Sequence, residues 1–223
     1  MTPAAQSAPV AIPAGKVSLE GLLELPANPC GVVVFSHGSG SGRNSPRNRF
    51  VARELRRVGV GTLLLDLLTA REDEVYETRF DIRLLTERLG CAVRFLAETA
   101  GTKKLPVGLF GASTGAASAL RVAAEMPEAI GAVVSRGGRP DLAGHAALAK
   151  VKAPTLLIVG GDDSGVIELN ESAAERLAHC PHELVLVPGA THLFEEPGTL
   201  EAVARLAARW FERHLCKSTP AST

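Results

Sequence analysis

The sequence predicts an α/β fold, a parallel sheet covered by helices on both faces. Three observations predict it. Short, predominantly apolar runs recur along the chain (Gly31 to Phe35, Val60 to Leu65, Leu105 to Phe110, Ile130 to Val134, Thr155 to Val159), the pattern of strands buried on both sides. Between them lie stretches whose apolar residues keep helical spacing. The connections are mostly short, so strand and helix alternate as in parallel βαβ units. The chain has 223 residues, of which 46% are hydrophobic. That supports a single domain over 1–223 with one large core.

Taken in order, Met1 to Ser7 reads as a flexible tail. Val10 to Ile12 and Val17 to Leu25 flank Pro13-Ala14-Gly15, which reads as a hairpin. The strand Gly31 to Phe35 is followed by a polar, glycine-rich loop, Ser36 to Asn48. Phe50, Val51, Leu55 and Val58 then mark a helix, and the strand Val60 to Leu65 ends at Asp66. Thr69 to Arg79 is charged and irregular. Ile82, Leu85, Leu89, Ala92, Val93 and Leu96 form a helical stripe. A strand runs to Phe110 and a helix follows over Ala116 to Ala124. After the strand Ile130 to Val134, a helix is expected over Ala143 to Lys150. The strand Thr155 to Val159, a helix over Ile167 to Ala178, the last strand Leu184 to Val187 and a closing amphipathic helix, Leu200 to Phe211, complete the chain.

Composition excludes several classes of function. Formal net charge is zero, which argues against a nucleic-acid or anionic-membrane surface. Aromatics make up 4% of the chain, too few for base stacking as a main activity. No apolar run reaches the ~18 residues of a membrane span. Met1 to Val10 has neither a basic region nor an apolar run of the signal-peptide kind, so a cytoplasmic location is expected. The four cysteines, Cys30, Cys91, Cys180 and Cys216, are scattered without metal-ligand spacing and are expected to be reduced thiols, with no disulfide framework.

One motif carries chemistry. Gly111-Ala112-Ser113-Thr114-Gly115 fits G-x-S-x-G, the nucleophile elbow. It follows an apolar strand and opens an alanine-rich helix. A serine on so sharp a turn projects its hydroxyl above the sheet, and the flanking glycines let strand and helix backbones pass closely. Ligands of parallel sheets bind beyond the carboxyl ends of the strands, which is where Ser113 falls.

A serine hydroxyl needs a base to take its proton, and the base needs an orienting carboxylate. Of six histidines, His192 follows the last strand in a short glycine-containing loop and is the candidate base. His179 and His182 precede that strand, His214 sits in the final helix, and His145 lies on a helix between strands. The acid is expected after the strand Thr155 to Val159, where Asp162 and Asp163 are adjacent. Asp163 is favoured as the orienter and Asp162 is the alternative, since either could instead cap the following helix. The order Ser113, Asp163, His192 is that of α/β-hydrolases. The backbone N–H groups of Thr114 and Ser39 are the candidate oxyanion donors. Ser39 follows His37-Gly38, a pair similar to the start of an esterase oxyanion loop. His37 itself is read as a packed, hydrogen-bonded loop residue.

On these residues the chain resembles small α/β-hydrolases of the dienelactone-hydrolase-like type over nearly its whole length. The carrying motifs are His37-Gly38-Ser39, the G-A-S-T-G at Ser113, the stretch Gly160 to Val166 and Thr191-His192. The resemblance implies an eight-stranded, mostly parallel sheet and a hydrolytic triad. Dienelactone hydrolases proper carry a cysteine nucleophile where this chain has Ser113, which favours a general carboxylesterase-like activity over dienelactone itself. The longest insertion, Thr69 to Arg79, is too polar for a lipid-binding cap, so no large cap is expected. Arg43, Arg47, Arg136 and Arg139 follow strands on the same face. His37, Arg43 and Arg136 are candidate contacts to substrate, a guanidinium being suited to a carboxylate.

The same residues carry rival readings. A dinucleotide-binding unit fails, because G-x-G-x-x-G counted from Gly38 meets Arg43 and counted from Gly40 meets Ser45. A P-loop fails for want of G-K-[ST]. A thioesterase or acyltransferase would use the same residues, and a catalytically silent binding module would keep the fold alone. The expectation is a serine hydrolase acting on a small soluble ester, with no metal, no organic cofactor, no nucleic acid and no membrane partner.

Overall fold

The computed structural model describes residues 5–216. Eight strands form one sheet in the order β1-β2-β4-β3-β5-β6-β7-β8. They are β1 (Gln6–Ala14), β2 (Val17–Leu25), β3 (Gly31–Ser36), β4 (Val60–Leu65), β5 (Val107–Ala112), β6 (Ile130–Arg136), β7 (Thr155–Gly160) and β8 (His182–Val187). The hairpin β1–β2 and the β2–β4 pair are antiparallel, while β4-β3-β5-β6-β7-β8 pair in parallel. This is the eight-stranded, mostly parallel α/β-hydrolase fold.

The helices are α1 (Pro46–Arg57), α2 (Ala70–Asp73), α3 (Ile82–Glu98), α4 (Thr114–Glu125), α5 (His145–Leu148), α6 (Ser164–Arg176) and α7 (Thr199–Leu215). Strand alternation divides the core between the two faces. Val32 and Val34 of β3 join Leu85, Leu89 and Leu120 of α3 and α4. Val33 and Phe35 point the other way, to Val51 and Leu55 of α1 and to Val203, Ala207 and Phe211 of α7. With both faces covered, the central strands had to be continuous apolar runs, and β3, β4, β5 and β7 are buried at every residue.

Four local expectations differ from the structure. The hairpin is longer than its sequence signal, and β1 starts at Gln6, paired with Leu25, so Gln6 and Ser7 are strand rather than tail. Met1 to Ala4 lie outside the described residues. Pro9 and Pro13 are accommodated because β1 is an edge strand. The helix expected over Ala143 to Lys150 is broken. Gly144, at φ 85°, ends a 3-10 turn at Pro140–Ala143 and starts the four-residue α5. The charged segment after β4 is not irregular. Thr69 caps α2 through a reciprocal bond with Glu72, and a 3-10 turn follows at Glu77–Phe80. Two short turns make no large cap, although they carry the exposed side chains of Val75, Tyr76 and Phe80.

The fourth difference concerns the cysteines. The sulfurs of Cys30 and Cys216 are paired, with Cα atoms 4.9 Å apart. Only Cys91 and Cys180 are free among the described residues. Nothing in the spacing announced the bond, because 186 residues separate the partners. The sheet brings the start of β3 beside the end of α7. No described helix is long and apolar enough to cross a membrane.

Candidate active site

The carboxyl ends of β3, β5, β7 and β8 converge on one edge of the sheet, and each delivers one part of the site. Ser113 occupies the turn between β5 and α4 at φ 50°, ψ −121°. A non-glycine residue there costs roughly 1–3 kcal/mol and persists only where its surroundings impose it. The surroundings are visible. The Ser113 N–H donates to the Arg136 carbonyl (3.2 Å), and the Ser113 carbonyl accepts from the N–H groups of Ala116 (3.0 Å) and Arg139 (3.1 Å). Gly115 is needed for close approach, because a Cβ there would overlap the carbonyls of Ser36 and His37. Beneath the turn the buried hydroxyls of Ser36 and Ser118 meet at 2.7 Å.

The Ser113 hydroxyl faces His192, with Oγ 3.4 Å from Nε2. The other ring nitrogen, Nδ1, lies 2.7 Å from Oδ2 of Asp163. An ionised carboxylate only accepts, so Nδ1 carries the hydrogen and Nε2 offers its lone pair to the serine. The 3.4 Å separation is long for a hydrogen bond. Asp163 is the N-cap residue of α6, yet its side chain makes no capping bond; the carboxylate is turned to the imidazole instead. Asp162 is exposed and joins the site only through its N–H, which donates to the Ala190 carbonyl. Of the two aspartates, Asp163 is the one whose carboxylate contacts the imidazole.

The loop bearing His192 is held by residues that the sequence pattern did not single out. Glu196 accepts from the Thr191 hydroxyl (2.5 Å) and N–H (3.2 Å). Phe194, at φ 55°, fills the core beneath the loop at 1% exposure. A buried aromatic two residues after the histidine was the available signal for this anchor.

The oxyanion candidates are arranged less simply than expected. Thr114 opens α4, so its N–H has no intrahelical acceptor. The Ser39 N–H is not free, since it donates to the Thr114 hydroxyl at 2.9 Å. His37 is buried. Its Nδ1 contacts the Gly38 carbonyl at 2.9 Å, and its Nε2 accepts from the Leu67 N–H at 3.0 Å. Burial lowers its pKa from the usual 6.5 against the opposing pull of the Gly38 carbonyl, Asp66 and Asp73. His37 is a neutral strut between two loops, and both its nitrogens are engaged. It and Arg43 wall a cleft of about 340 Å³ with Ser41, Asp66, Thr69 and Asp73.

The four arginines separate clearly. Arg43 is tied to Asp66 and Glu20, Arg47 to Glu195 at 2.8 Å, and Arg139 to Asp141 at 2.7 Å. Among the described residues, Arg136 alone of these has no carboxylate partner. It is 7% exposed, its Nε is unpaired, and its guanidinium stacks 5.8 Å from the Phe194 ring centroid. Burial, with Arg47 nearby, lowers its pKa to about 10. The remaining histidines stand apart. His145, His179 and His182 are exposed, and His214 packs on Trp210.

Comparison with known proteins agrees with this architecture. A crystal structure of a dienelactone hydrolase from Anabaena variabilis is 53% identical and superposes with a TM-score of 0.92 over 95% of this chain and 99% of that one. Est1E from Butyrivibrio proteoclasticus shares the fold at 17% identity, with a TM-score of 0.78 over 92% of this chain and 98% of its own. A Mycobacterium tuberculosis protein bearing the name "Putative phosphoribosyl transferase" is 55% identical over 212 residues. The match takes in 95% of this chain but 47% of that protein, so the chain spans about half the length of the curated relatives it matches. Residues 19–216 match the dienelactone hydrolase family, and the chain belongs to that family.

Proposed function

We propose that the protein is a serine hydrolase that cleaves carboxylic esters of small soluble molecules through an acyl-enzyme. One observation carries the reading: a strained Ser113 faces an imidazole whose far nitrogen is held by Asp163. In the first half-reaction Ser113 Oγ attacks the ester carbonyl carbon while its proton passes to His192 Nε2. The carbonyl electron pair moves onto oxygen and is received by the Thr114 N–H and by the loop carrying Ser39. Collapse of this intermediate breaks the bond to the alkoxy oxygen, which leaves as alcohol with the proton from His192. In the second half-reaction water adds to the acyl carbon as His192 takes its proton. The acid then departs, and Ser113 recovers its hydrogen. Asp163 stays ionised throughout and holds the imidazole in the productive tautomer.

Arg136 supports a preference within this class. A buried guanidinium with no counter-ion among the described residues, next to the histidine loop, suits a substrate whose acyl or alcohol part carries a carboxylate. The longer relatives bear the name "Putative phosphoribosyl transferase" and the match takes in 47% of their length; the serine, histidine and aspartate of this chain support acyl transfer. Hydrolysis of a panel of short-chain 4-nitrophenyl esters by the wild type and Ser113→Ala tests the proposal. Turnover that vanishes in the variant is expected, and turnover that survives it overturns the assignment.

A further inference from the structure

The Thr114 hydroxyl is engaged as an acceptor across the site. Several threonine hydroxyls in and after helices of this chain instead give their hydrogen to a backbone carbonyl. Thr86 donates to Ile82 (2.6 Å), Thr99 to Phe95 (2.8 Å) and Thr102 to Leu96 (2.7 Å). That back-bonding is the usual habit of threonine in and after helices. Thr114 cannot follow it, because as the first residue of α4 it has no helical carbonyl four residues earlier. Its Oγ1 instead accepts from the Ser39 N–H at 2.9 Å. The residue is 3% exposed, and its hydroxyl hydrogen has no acceptor among the described residues. A hydroxyl carries one hydrogen and two lone pairs. Here one lone pair is filled by an amide, while the hydrogen is left over in a buried position beside the nucleophile.

Resting on the serine-hydrolase reading above, we propose that the Thr114 hydroxyl is itself an oxyanion donor. The Ser39 amide then acts through it, orienting and polarising the O–H, rather than bonding the substrate oxygen directly. Thr114 supplies two of the donors, its backbone N–H and its O–H, from one residue fixed at a helix start. Accepting a hydrogen bond strengthens a hydroxyl as a donor, so the amide's contribution is passed on through Thr114. The bond to Ser39 also fixes the side-chain rotamer, which means that no rearrangement is needed when charge appears on the substrate oxygen. Asp163 and His192 are untouched by this assignment, as is the Thr114 N–H.

The test compares Thr114→Val, which keeps the shape and removes the hydroxyl, with Thr114→Ser, which restores it. Each is assayed for kcat and KM on 4-nitrophenyl acetate, for inhibition by phenylboronic acid (whose tetrahedral adduct places an oxygen in the hole) and for Tm as a folding control. Loss of one such donor lowers kcat by about a hundredfold or more. Thr114→Val is expected to show that loss with KM little changed and boronate binding weakened in parallel, while Thr114→Ser stays near wild type. A Thr114→Val enzyme as fast as wild type, or faster because a hydroxyl blocking the Ser39 amide has gone, overturns the proposal. So does a Thr114→Ser enzyme as impaired as the valine variant, which would make the methyl group the important part. If the wild type shows no Ser113-dependent turnover, the hydrolase reading falls and takes this one with it; Ser113-dependent turnover with an unimpaired Thr114→Val enzyme removes this proposal alone.

Discussion

Asp163 and Asp162 are adjacent in the chain and diverge completely in space: Oδ2 of Asp163 lies 2.7 Å from His192 Nδ1, whereas Asp162 faces solvent. The cause is local. The Asp162 N–H is drawn to the Ala190 carbonyl, which joins the loop after β7 to the loop after β8. A Cβ on Gly160 would overlap that same carbonyl. The two loops touch backbone to backbone, and only the second aspartate can turn toward the imidazole.

Asp163→Asn is therefore expected to lower kcat by a factor on the order of 10² to 10⁴, through loss of the tautomer and of imidazolium stabilisation. Asp162→Asn should stay within about threefold of wild type, as an exposed residue outside such features does. Steady-state kinetics on one ester checks both, and the reverse ranking would move the acid role to Asp162.

Ser113→Ala and His192→Ala should each lower kcat by about 10³ to 10⁶, and the double variant should be little worse than either, because the residues act as a unit. Losses that add in free energy would mean that the two do not share one proton transfer.

His37 sets an acid limit on stability. Its folded pKa lies below the 6.5 of the unfolded chain because burial disfavours the charged ring. The unfolded state therefore binds the extra proton, and stability rises with pH over the interval between the two values. The contribution is complete above about pH 6.5, the unfolded value, and is lost as pH falls below it. Protonation would also cost the bond that Nε2 accepts from Leu67. Urea unfolding at stepped pH should show this decline in the wild type and a shallower one in His37→Gln; equal slopes would exclude His37 as the source.

Gly115→Ala places a methyl group against the carbonyls of Ser36 and His37. Backbone cannot yield as a flexible side chain does, so a loss of roughly 1–3 kcal/mol is expected from overpacking, with activity falling as the elbow shifts. An unchanged urea midpoint would show that the turn is looser than described.

The pairing of Cys30 with Cys216 leaves Cys91 and Cys180 as free thiols. Protein denatured without reductant should titrate two of its four cysteines with a thiol reagent, and Cys30→Ser should cost about 2–4 kcal/mol. Four reactive thiols in protein purified without reductant would contradict the bond.

Much of this was legible in the sequence for physical reasons. A strand covered on both faces must be apolar throughout, which made β3 and β4 visible. The elbow was visible because its glycines answer to steric contacts that no other residue meets. What local sequence does not show depends on residues far apart in the chain. The partner of Cys30 is set by where α7 ends, and the bond between Ser39 and Thr114 spans 75 residues. The break at Gly144 escaped because alanines on either side keep helical spacing through it. The partners of Arg43 and Arg47 come from other segments of the chain, and only the structure shows Arg136 without a carboxylate among the described residues.

The most direct measurement is labelling with a fluorophosphonate probe, mapped by peptide mass spectrometry, on the wild type and Ser113→Ala. Modification at Ser113, lost in the variant, is the expected result and marks a serine activated by its imidazole. Well-folded wild-type protein that takes no label at Ser113, or that labels equally in the variant, would contradict the central claim.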